Sequence, residues 1–403
     1  MADFTPETRI NRFKEWARAK SAPANAKLLQ PGSNIILGAA IHGMARRSKG
    51  VTNLTEIENI GVKFFDIMAE SEEELKTYGE ICAEAKTISR SGGFVAANIP
   101  SSITTLSEET PYTRERFMAD VKELAVATLQ QPHIRAVTPE QIKPDGTIET
   151  TDAFAKASSE LGRGVNIFTV SKDSSKGALN EDEIRGKMSG RIGPGGKIMI
   201  PMKIEPELFK CYKESGEAGK DEIYFTWGFG GDGEAEVAHR TGEFGSVTTG
   251  TQRSFPREPP VYRGYVENAC AGHIICWEAD HSSSEWYDKL IQVMREVANH
   301  SSYLSLSVGD EDLDFLIGLI PGPIGDFANI GFWLENIANL IANFLEIFRN
   351  HDDKVMEHSY AYSRDYLLTA VPREFYVGYE FNGGGGGHFL FSATFKTAAE
   401  LLG

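Results

Sequence analysis

The segment 313–348 constrains the fold of this chain more than any other stretch. Residues 313–320 are apolar, Pro321-Gly322-Pro323 breaks them, and the spacing from Ile330 to Phe348 predicts a helix. Its polar residues Glu335, Asn336, Asn339, Asn343, Glu346 and Asn350 form one narrow stripe. Ile330, Trp333, Leu334, Ile337, Leu340, Ile341, Phe344 and Leu345 fill the rest of its surface. A face so wide has two outlets: the protein's own interior, or a membrane or like partner. In the second case the helix, rising about 1.5 Å per residue, approaches the roughly 30 Å of bilayer hydrocarbon. A lone span would leave the asparagine amides without partners in lipid, so several copies would have to pair their stripes. Trp333, Leu340 and Phe344 are then the membrane or partner contacts.

Around this segment the residue periodicity changes once. Thr5-Pro6 starts an amphipathic helix with Ile10, Phe13 and Trp16 on one face. Capping boxes at Ser71–Glu74 and Thr138–Gln141, with apolar residues at helical spacing, predict further helices over about 71–89, 113–129, 151–161 and 181–188. The run 35–45 suits strand or helix. Gly190, Gly193, Pro194, Gly195 and Gly196 then make a joint. Strand-like runs follow at 197–204, 222–227, 244–251, 261–267, 273–279 and 302–308, with a helix from Ser282 that buries Trp286, Leu290, Met294 and Val297. Near the C-terminus Phe375, Val377, Tyr379 and Phe381 alternate, as do Phe389, Phe391, Ala393 and Phe395. With glycines at 383–387 between them, they predict a hairpin with one aromatic face. The expected fold is α+β. Residues 1–190 form a mainly helical domain, and residues 197–403 a β-sandwich-like domain with the helical insertion 313–348.

Charge narrows the partners. With 41 basic and 57 acidic residues the net charge is −16, which repels phosphate backbones, so nucleic acid is not an expected partner. Cys82, Cys211, Cys270 and Cys276 are scattered among apolar neighbours and read as buried thiols. Met1–Pro6 lacks the basic start and apolar run of a cleavable signal peptide, which predicts synthesis in the cytoplasm and leaves non-classical export as the route out.

The motifs that carry chemistry are weak. Gly228-Phe229-Gly230-Gly231-Asp232-Gly233 has dinucleotide-loop spacing, but the acids Asp232, Glu234 and Glu236 and the early break at Gly242 favour a loop between strands. Cys270, His273 and Cys276 are soft ligands, yet strand alternation puts the histidine on the opposite face from the thiols. Asp145-Gly146…Asp152 and Lys176-Gly177…Glu183 resemble the second halves of calcium loops. Their first halves lack the acids, which suggests a degenerate EF-hand-like pair without metal. Glu278 and Asp280 end a predicted strand, while Asp312 and Asp352 flank the apolar segment. If these four converge they form a calcium site, and calcium is the only cofactor the sequence suggests. No serine-elbow, zincin or paired-glutamate motif marks a catalytic set.

These features predict a binding protein, effector- or toxin-like, that acts on membranes or by self-assembly through its apolar helix. The competing classes are a hydrolase with an acidic site near Glu278 and Asp280, and a structural subunit of a larger assembly.

Overall fold

The computed structural model describes residues 5–19, 30–89, 98–170, 191–216, 220–233, 235–255, 257–280, 284–306, 328–348 and 352–401. Among the described residues six α-helices come first: α1 (Pro6–Arg18), α2 (Ile35–Ser48), α3 (Glu56–Met68), α4 (Glu72–Ser89), the single turn α5 (Ser101–Thr104) and α6 (Arg114–Leu129). Then come β1 (Ile134–Val137), α7 (Asp152–Leu161) and β2 (Arg163–Phe168). A run of strands follows: β3 (Ile200–Lys213), β4 (Asp221–Gly231), β5 (Glu236–Arg240), β6 (Phe244–Val247), β7 (Gln252–Ser254), β8 (Tyr262–Val266) and β9 (Ala269–Glu278). Helices α8 (Ser284–Leu306) and α9 (Ala328–Phe348) precede β10 (Asp353–Ser363), α10 (Arg364–Ala370), β11 (Tyr376–Asn382) and β12 (His388–Thr397). The fold is α+β, a helical N-terminal region followed by mixed and antiparallel sheets.

Two compact units divide these elements. The first takes residues 1–131, 282–293 and 335–351, and the second takes the remainder. In the helical unit Thr55 and Glu58 close a reciprocal capping box on α3. Gly43 lets α2 and α3 approach, since a Cβ there would meet Glu58 and Val62 at 3.0 and 3.1 Å. Phe13, Phe65, Tyr78, Phe344 and Phe348 pack in one aromatic group, with Phe13 and Phe348 centroids 5.9 Å apart. The Asn336 side chain donates to Gly32 O (2.9 Å) and accepts from the Ile35 and Ile36 amides. It thereby satisfies amides at the start of α2 that have no partner within the helix.

The second unit is a sandwich. One sheet runs β1-β2-β10-β9-β4-β5, with β6 also on β4; the other runs β11-β12-β3-β7, with β8 also on β3. β1–β2 and β2–β10 are parallel, and the other pairs are antiparallel. Phe225 of the first sheet lies 5.7 Å from Phe209 and 5.2 Å from Phe391 of the second, inside a continuous apolar core. The hairpin read from residues 375–395 is present, with Tyr379 opposite Phe391 and Phe381 opposite Phe389.

Several expectations are corrected. β1 and β2 lie within the stretch read as helical; β2 is buried at every position, so it shows no alternation. The Asp145 loop is no degenerate EF-hand. Bridged Ile142 and Ile148 close a small hairpin, and a 3-10 turn rather than a helix precedes it. The second such loop, 172–183, lies outside the described residues. Residues 302–306, read as strand, continue α8, because extending a helix costs far less than nucleating another element. β10 was not anticipated at all. The glycine turn at 193–196 is not a loose joint: the Glu267 carboxylate accepts from Gly195 N (3.0 Å) and Lys197 N (2.9 Å). Along the chain the two compact units first part at Gln131/Pro132.

Candidate functional site

A cleft of about 260 Å³ opens where strand ends of the sandwich meet a glycine loop. Glu278 at the end of β9, Asp353 and Lys354 at the start of β10, Ser215-Gly216 after β3, and Gly385-Gly386 between β11 and β12 line it. Antiparallel pairing sets Asp353 directly opposite Glu278, so two carboxylates share one wall. The glycines let backbone form the other wall, with Gly216 N donating to Gly385 O at 3.0 Å. Ser215 is held back by Asp221, which accepts from both its amide and its hydroxyl at 2.7 Å.

From the cleft a row of polar side chains runs into the sheet. β10 bulges between Lys354 and Met356, which brings Lys354 to the side of Glu357 instead of the opposite face. Lys354 Nζ lies 3.2 Å from Glu357 Oε2. His273 Nε2 is 3.6 Å from that oxygen, and its Nδ1 is 2.7 Å from Ser359 Oγ. Burial pushes the Glu357 carboxyl up, but Lys354, His273 and Arg163 outweigh it and hold the group down to about 2. Neither Glu357 oxygen nor His273 Nε2 makes a hydrogen bond among the described residues. Serine, histidine and carboxylate are neighbours, but Ser359 meets Nδ1 and Glu357 faces Nε2, the reverse of a hydrolase triad, and all three are buried. On the other face of β10, burial and then Arg135 push His358 down to about 3, so it is neutral.

The structure treats the sequence-named residues unequally. Glu278 lines the cleft, whereas Asp280 is exposed. Asp352 is fully buried and accepts from Tyr224 OH (2.7 Å) and Asp280 N (2.9 Å), so it fastens two strand ends together. Asp312 lies outside the described residues. Among the described residues no group of three or more His, Cys, Asp or Glu side chains could hold a metal ion, so the expected calcium cluster gains no support. Trp333, Leu340 and Phe344 are buried. No described helix is long and apolar enough to cross a membrane. Asp232 of the glycine-rich motif accepts from the Glu267 and Asn268 amides. Its glycines answer close packing: a Cβ on Gly228 would come 2.2 Å from Met294 O. Cys270 and Cys276 are core thiols, pushed well up by burial. His273 is buried against Ser359.

Glu357, Ser359 and Lys354 escaped the sequence reading because β10 carries charge on a buried face. The legible signal was alternation of the other face at His358, Tyr360 and Tyr362. Compared with protein-family models, curated proteins and solved structures, the chain finds no match.

Proposed function

We propose that the protein is a non-enzymatic binding protein whose ligand, a small polar molecule rich in hydrogen-bond donors such as an amine or polyol, sits in the Glu278–Asp353 cleft. The observation that carries this reading is the pairing of two carboxylates across strand ends in a cleft whose opposite wall is backbone. At about 260 Å³ the cleft lies just below the common range for ligand pockets, roughly 300 Å³ and up, so it suits one ring or a short chain. The buried state of Ser359, His273 and the four cysteines favours binding over catalysis. Toxin-like or membrane action through α9 draws less support, since that helix's apolar face packs inside the protein. Nuclear magnetic resonance with a panel of amine and polyol fragments tests the proposal. Shifts should cluster at 215–216, 278, 353–355 and 385–386 and vanish in Glu278→Gln. A panel that perturbs only residues elsewhere would overturn it.

A hydrolase is the second reading, favoured by the same facing carboxylates, which could divide acid and base roles. Turnover of a glycoside or ester that is lost in both Glu278→Gln and Asp353→Asn would replace binding by catalysis.

A further inference from the structure

The helical unit holds a second cluster of buried ionisable groups, remote in sequence from the cleft. His42 on α2 is fully buried, and both ring nitrogens are engaged. Nε2 lies 2.8 Å from Thr110 O, which can only accept, so Nε2 carries the proton. Nδ1 lies 2.7 Å from Lys86 Nζ on α4, an ammonium that can only donate, so Nδ1 is bare. The partners thus fix one neutral tautomer. Lys86 also donates to Leu106 O (2.8 Å) and reaches Glu108 Oε1 (3.3 Å). The same two side chains therefore tie down the segment 106–112 between α5 and α6.

The charged groups around His42 come from every side. Arg46 on its own helix donates to Glu108 O (3.1 Å) and pairs with Glu58 Oε2 (2.5 Å). Glu58 on α3 lies 3.8 Å from His42 Nε2, and its Oε1 accepts from Tyr112 N at 2.8 Å. Cys82 sits one turn before Lys86 on α4 and is buried and protonated. Glu58, the Thr110 carbonyl and the Glu108 carboxylate favour a charged ring, against burial, Lys86 and Arg46, and the balance lowers its proton affinity.

We propose that His42 and Lys86 form an acid-released latch: a proton on His42 Nδ1 would face the Lys86 ammonium, so proton uptake opens the segment 106–112 from α2 and α4. The sign follows from burial and Lys86, which lower the affinity of His42 for a proton in the closed form. The latch is whole above the ordinary histidine value of about 6.5 and weakens as pH falls below it. One proton taken up per opening raises the open population by up to tenfold per pH unit.

Hydrogen exchange on the full chain tests this, read at the Thr110 and Tyr112 amides, which bond to Ser107 O and Glu58 Oε1. After correction for intrinsic rates, protection should fall, by up to tenfold, between pH 6 and 5 while β9 and β10 stay protected. In His42→Gln, which cannot titrate, protection should not change with pH. Equal pH dependence in the variant, or loss at all sites together, would overturn the latch. If the variant does not fold, the imidazole nitrogens of the unaltered protein decide the matter. A proton on Nδ1 at pH 7 overturns the proposal, and a bare Nδ1 with that loss of protection between pH 6 and 5 supports it.

Discussion

Glu357 is a buried carboxylate balanced by Lys354, Arg163 and His273 without a hydrogen bond of its own among the described residues. Its folded value near 2 lies below the unfolded one of about 4.3, so its stabilisation is full above pH 4.3 and is lost as pH falls towards 2. Glu357→Gln leaves the cations in place without their counter-charge. At pH 7 it should cost about 3–5 kcal/mol in urea unfolding and flatten the stability curve between pH 4.3 and 2. A near-neutral result would mean that the cations find another counter-charge. Glu267, also buried, plays a comparable part at the glycine turn. Glu267→Ala removes the acceptor of Gly195 N and Lys197 N, costing about 1–3 kcal/mol, and should make the glycine turn the preferred site of limited proteolysis. In the unaltered chain that turn should resist cutting.

At the scale of elements, α9 is held by what it buries. Phe344 lies 5.5 Å from Phe64 and 4.6 Å from Phe348, so Phe344→Asp should lower stability by at least about 3–5 kcal/mol. Urea midpoints beside liposome flotation separate the two views of this helix. A folded variant with reduced vesicle binding would restore the membrane reading. The sequence made the helix and its two faces legible. It could not say that Asn336 serves the first amides of α2, because that contact joins residues some three hundred positions apart. The terminal hairpin was readable for the opposite reason: its partners are close in the chain and one face is plainly aromatic. β2 hid because a strand buried on both faces loses the alternation that reveals a strand, and β10 because charged and polar residues occupy one of its buried faces. The cleft was half visible. Glu278 stood out at a strand end, but Asp353 and the glycine wall enter only through strand pairing.

At the scale of the whole molecule, acid should act at two places at once. His358 is neutral with a folded value near 3, below the unfolded value of about 6.5, so its stabilisation is present above pH 6.5 and lost as pH falls towards 3. Each pH unit in that window should cost up to about 1.4 kcal/mol, and His358→Gln should make the slope shallower in urea titrations at pH 7, 6 and 5. The interleaving of chain and fold has a further effect, on biosynthesis. β2 waits for β10 as its neighbour, and the first compact unit includes residues 335–351. A ribosome must therefore release most of the polypeptide before either unit can close. Until then the emerging N-terminal helices present an open apolar groove to whatever chaperone meets them.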